Sequence, residues 1–252
     1  MKLAALALAS VLFLPVSAQA VEIHGALAAE RHRVQSADYR MSGHLLHVDG
    51  SGARTSYGIN IRAHWFPGVL RVLFEVASPA SARVHALMEM RPGGKSTIQI
   101  AHPGDAKATE LAFAKWSEGP LGEGFSYEDF LEATYFWASQ AVLGEAKYGA
   151  RNCDQIRSTP GARDETHMDE VTSWLDHDSG FPVYVEKTMK GSGNVKEFTY
   201  YGLRQTRGVW SASQIEAKTR GRVGSTRLII DRGTPVAHLE LKDFSPEQLT
   251  RF

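Results

Sequence analysis

The chain has 252 residues, with 28 basic and 28 acidic side chains, ten histidines and one cysteine. That balance excludes a nucleic-acid partner, because phosphate-backbone binders carry a clear basic excess. A lone cysteine, Cys153, allows no internal disulfide, so the fold must rest on its core.

The N-terminus reads as a secretory signal peptide. Lys2 is its basic region, residues 3–16 its apolar run, and Ala18-Gln19-Ala20 a small-x-small cleavage signal. The run is shorter than the ~20 residues that cross a bilayer. Cleavage after Ala20 makes Val21 the first mature residue, leaves no cysteine there for a lipid anchor, and gives a net charge near −1. The expected product is a soluble, single-domain protein over residues 21–252, large enough to bury its own core.

A short helix is expected over residues 23–35, after which the hydrophobic period changes to two. Strands are expected over residues 39–48, 56–65, 69–77, 84–90 and 96–101, punctuated by Gly50-Ser51-Gly52, Phe66-Pro67-Gly68 and Pro92-Gly93-Gly94. Tyr57, Ile59, Ile61, Ala63 and Trp65 share one face of the second strand. Leu70, Val72, Phe74 and Val76 do so in the third, and Val84, Ala86, Met88 and Met90 in the fourth.

The pattern breaks at residues 125–130, where Ser126 followed by Asp129 forms a weak capping box. A helix is expected from there to residue 143, with an apolar arc through Phe130, Leu131, Tyr135, Trp137 and Val142 wide enough to be covered on several sides. Strands return over residues 151–158, 167–175, 183–189, 195–201, 210–219, 226–231 and 235–241. Ser245-Pro246-Glu247 opens a last short helix. The cluster of Arg204, Arg207, Lys218, Arg220, Arg222 and Arg227, interleaved with Glu216, reads as a solvated sheet face.

Catalytic signatures are absent. The histidines are scattered, with no His-Glu-x-x-His pattern to hold a metal. Residues 91–97 superficially resemble a phosphate-binding loop, but Glu89 replaces the needed glycine and a strand follows. There is no Gly-x-Ser-x-Gly elbow, and Cys153 in a strand reads as a small buried residue. The apolar sheet faces and the lid-like helix either pack together or leave a cavity between them; packing is the commoner outcome, since apolar pockets are few per protein.

Residues 125–130, followed by Cys153, Ser158 and Pro160 in a Cys-x-x-x-x-Ser-x-Pro stretch, resemble the outer-membrane lipoprotein-sorting protein family. Trp174-Leu175-Asp176, Phe181-Pro182-Val183, Lys196-Glu197-Phe198, Val209-Trp210, Gly224-Ser225-Thr226 and Phe244-Ser245-Pro246 follow in the family's order. That family is similar to the LolA and LolB carriers. The resemblance implies a mainly β (α+β) fold, an incomplete antiparallel β-barrel wrapped around a few helices with an apolar cavity for acyl chains.

The resulting expectation is a non-enzymatic, monomeric periplasmic carrier of lipid or lipoprotein acyl chains. It would need no cofactor or metal, touch membranes only transiently and possess an inner-membrane exporter as a further partner. Tyr57, Ile59, Ile61, Leu70, Val72, Phe74, Met88 and Met90 from the sheet, with Phe130, Leu131 and Trp137 from the lid, are the candidate cavity wall. The rival expectation is a cargo-free docking protein of an envelope export system.

Overall fold

The computed structural model describes residues 25–119 and 124–252. The signal peptide and its cleavage point therefore lie outside the described residues. Helix α1 (Gly25–Gln35) leads into β1 (Asp38–Val48), β2 (Arg54–Phe66), β3 (Val69–Ser78), β4 (Val84–Met90), β5 (Thr97–Ala101) and the two-residue β6 (Thr109–Glu110). Single 3-10 turns follow at Phe113–Lys115, Tyr127–Phe130 and Ala133–Phe136. Then come β7 (Ser139–Tyr148), β8 (Arg151–Thr159), β9 (Met168–Asp176), β10 (Pro182–Met189) and β11 (Val195–Tyr201). The chain ends through β12 (Arg204–Thr206), β13 (Val209–Ser211), β14 (Gln214–Thr219), β15 (Ser225–Pro235), a 3-10 turn at Leu241–Phe244 and helix α2 (Pro246–Leu249).

Thirteen strands form one antiparallel sheet in the order β6-β5-β4-β3-β2-β1-β15-β14-β11-β10-β9-β8-β7, while β12 and β13 form a separate hairpin. The edges β6 and β7 do not pair with each other, so the sheet is an incomplete barrel, the fold class the sequence led one to expect. Turn chemistry sets the register. At the β1–β2 corner the Asp49 carboxylate accepts from the Ser51 amide at 2.8 Å, the Ser51 hydroxyl at 2.7 Å and the Ala53 amide at 3.0 Å.

The alternation expected in β2 to β4 is realised: Ile59, Ile61, Leu70, Val72, Phe74, Met88 and Met90 are all buried on the inner face. Against them pack Leu27 and Val34 of α1 and the aromatic side chains of the 3-10 turns at Tyr127–Phe130 and Ala133–Phe136, with Phe74 and Phe130 ring centroids 4.9 Å apart. A smaller core lies on the opposite face, where the C-terminal segment lays Leu239, Phe244 and Leu249 over Leu73, Leu87 and Ala101. Cys153 is fully buried, as expected, and burial, aided by the nearby Asp176 carboxylate, pushes its thiol pKa up.

The helix expected over residues 126–143 does not form. Its capping box closes, with Asp129 Oδ2 accepting from the Ser126 amide and hydroxyl at 2.7 Å each, but the helix stops after one turn. Asp129 is also held by the Lys187 and Lys196 ammonium groups of β10 and β11, at 2.7 and 2.5 Å. Burial alone would raise the carboxyl pKa; the two lysines outweigh it and hold it well below the usual carboxylate range. Glu132 then takes φ +48°, a left-handed conformation that interrupts any helix, and pairs with Arg33. Residues 139–148 pair instead with β8, leaving Val142 and Leu143 about half exposed on the sheet edge.

Three strand expectations are also corrected. Residues 210–219 split into β13 and β14, and residues 226–231 are part of the longer β15. Residues 235–241 beyond β15 are irregular, because Val236 (φ +62°) and His238 (φ +52°) turn the chain away from extended geometry. β12 is an addition. It joins β13 through Arg207 and Gly208, both at positive φ, the two-residue turn that matches strand twist.

Candidate ligand cavity

The sheet splits beside β15. Pairing of β14 with β15 ends at Gln214 opposite Ile229, with one further bond donated by the Ile230 amide to the Ser213 carbonyl at 2.9 Å. β15 runs on to Pro235 alongside β1 alone. The chain between β11 and β14 leaves the sheet at Gly202, whose φ is +61° and where a Cβ would lie 2.1 Å from Ser213 Oγ. It folds out as the β12–β13 hairpin, which covers the gap.

Beneath the hairpin is a cavity of about 530 Å³, inside the ~300–1,000 Å³ range of small-molecule sites. Tyr39 and Met41 of β1 and Ile230 and Pro235 of β15 form one wall; Val209 and Trp210 of β13 form the roof. Phe181, Tyr200, Ala212 and Ile215 close the sides. Strand periodicity places Tyr39 and Met41, the odd-numbered β1 residues that pair with Pro235 and Gly233 of β15.

Several solved structures share this fold. An outer membrane lipoprotein-sorting domain, so described, from Vibrio parahaemolyticus superposes with a TM-score of 0.79 at 17% identity, over 89% of this chain and 98% of that one. A DUF1329 family protein from Desulfovibrio piger gives 0.78 at 15% identity, over 88% and 96%. A LolA superfamily protein from Nitrosomonas europaea gives 0.65 at 15% identity, over 89% and 97%. This is a LolA-like fold. A family model with the description "Uncharacterized protein" matches residues 71–251, and the chain belongs to that family. No curated protein matches the chain. The fold that the resemblance over residues 125–246 implied is borne out by these structures.

Within this LolA-like fold the sequence-derived candidates all come together, but in the packed core. Ile59, Ile61, Leu70, Val72, Phe74, Met88, Met90, Leu131 and Trp137 are buried in one cluster, with Tyr57 and Phe130 partly buried against it. None lines the cavity of about 530 Å³. Phe130, Leu131 and Trp137 stand on or beside 3-10 turns rather than on a lid helix. Among the cavity residues, Phe181, Val209 and Trp210 stood within motifs of the sequence reading, and Arg204 within the basic cluster read there as a solvated sheet face. Tyr39, Met41, Tyr200, Ile215 and Ile230 alternate like any core strand residue; what makes them a cavity wall is a neighbour that ends early.

The cavity floor is polar. Arg33 donates to Glu30 from Nε at 2.8 Å and Nη2 at 2.6 Å, also pairs with Glu132, and lies 5.1 Å over the Phe181 ring. Glu30 is fully buried, and burial pushes its carboxyl up to about 7, against the pull of Arg33 and with a further push from Glu132. Burial likewise raises the phenols of Tyr39, Tyr135 and Tyr200, which stay protonated. Among the described residues no three His, Cys, Asp or Glu side chains converge as a metal set, and no helix is long and apolar enough to cross a membrane.

Proposed function

We propose that this protein is a periplasmic carrier that holds the acyl chain of a lipid or lipoprotein in the cavity beneath the β12–β13 hairpin. The observation that carries the reading is the largely apolar cavity at the split between β14 and β15, roofed by a hairpin with a glycine at its base. Moving a ~16-carbon chain through water costs on the order of 10 kcal/mol at ~0.8 kcal/mol per methylene, so transit requires such an enclosure. The named description of the Vibrio parahaemolyticus domain supports the same class of cargo. Acyl burial needs no catalytic group, and the reading includes none.

The test is native mass spectrometry of protein isolated from the periplasmic fraction, followed by organic extraction and uptake of a fluorescent acyl probe. Near-stoichiometric lipid is expected, with at least a tenfold loss of probe affinity in Ile215→Trp, which fills the cavity. Protein that is repeatedly empty and takes up no probe would overturn the carrier. That outcome would favour the second reading, a docking protein of an envelope exporter, for which the exposed Val142 and Leu143 on the open β7 edge speak.

A further inference from the structure

We propose that the amphiphile carried here has an anionic headgroup, a phosphate or carboxylate, gripped at the cavity mouth by Arg204 and Arg232. The inference rests on the carrier reading and deepens it. Arg204 belongs to β12 of the hairpin and Arg232 to β15, so two different elements bring a cation to the cavity lining. Among the described residues neither has an ion-pair partner. The acids of the same lining are engaged: Asp38 accepts from the His238 and Leu239 amides at 2.9 and 3.0 Å, and Asp231 lies 3.2 Å from His44. Glu132 is taken by Arg33.

The cavity and a groove of about 350 Å³ on the other face of β1 and β2 share Arg40 and Arg232 in their linings, and the groove adds Arg62. Arg40 and Arg62 each carry a single carboxylate partner, Asp243 at 3.1 Å and Glu75 at 2.7 Å. A head held by Arg204 and Arg232 would meet guanidinium groups whose planar forks suit phosphate and carboxylate oxygens. A neutral head would forgo the charge-assisted bonds that these two cations offer.

Lysophosphatidic acid and monoacylglycerol with the same 16-carbon tail differ only in the phosphate, and inorganic phosphate supplies the head without the tail. Competition against a fluorescent acyl probe is expected to give the wild type about tenfold preference for the phosphate-bearing lipid, weakening as salt rises. In Arg204→Gln/Arg232→Gln the two lipids should bind alike. Because both arginines are exposed, circular dichroism and a urea midpoint near wild type would verify the fold. Equal binding of both lipids to the wild type, or a preference that survives in the double variant, overturns the headgroup site. Inorganic phosphate binding as tightly as the lipid would make this a free-anion site and overturn it too. Failure of both lipids and the probe to bind would instead sink the carrier reading on which it rests.

Discussion

Glu30 is the residue whose environment most departs from its chemistry. It sits on α1 with no exposed surface, facing Arg33, with Glu132 beyond and the raised phenols of Tyr39, Tyr135 and Tyr200 nearby. Its folded value of about 7 lies above the ordinary 4.5, so between these the native state holds a proton that the unfolded state has released. Relative stability from this group is therefore fullest below pH 4.5 and is lost as pH rises through 7, on the order of 3 kcal/mol in all. Glu30→Gln should remove that dependence. Urea midpoints of both proteins from pH 5 to pH 8 should diverge in the variant's favour toward high pH, and parallel curves would refute the assignment.

At the scale of elements, the β1–β15 pair decides where the cavity begins. Its register slips between Ser42 and Gly43, and Gly43 approaches β15 so closely that a Cβ would lie 1.9 Å from the Ile229 carbonyl oxygen. Backbone cannot yield to that contact as a flexible side chain could. Gly43→Ala is expected to cost roughly 2–3 kcal/mol in urea denaturation, and to lower affinity for the acyl probe by displacing Met41 and Ile230. An alanine variant of wild-type stability would mean the two strands can part there freely. The edge of the sheet has a different hazard: β7 is open, and Glu145 and Lys147 on it oppose edge-to-edge pairing.

For the whole molecule, stability depends on covering both faces of an open sheet. The inner face is filled by α1 and the 3-10 turns, while the outer face of β3 to β5 is filled by the C-terminal segment. Phe244 is 1% exposed and meets Phe66 edge-on with centroids 5.6 Å apart. Truncating it in Phe244→Ala is expected to cost about 3–5 kcal/mol, read as a lower thermal midpoint. Because Phe244 packs on the outer face, the variant should keep its acyl-probe affinity at temperatures where it remains folded.

Period-two alternation and turn residues are local, so β1 to β5 and β8 to β11 were legible in the sequence, as were α1, α2 and the antiparallel class, while the open barrel came only with the family resemblance. The residues expected to face inward in β2 to β4 do so, since a one-residue slip would expose every one of them. The helix over residues 126–143 was misread because its capping box is real; distant Lys187, Lys196 and Arg33 decide that the turn stops there. The cavity was equally out of reach. Tyr39, Met41 and Ile230 carry the same alternation as the packed residues of β2 and β3, and only the tertiary structure ends β14 beside Ile229 and leaves their side chains facing open space.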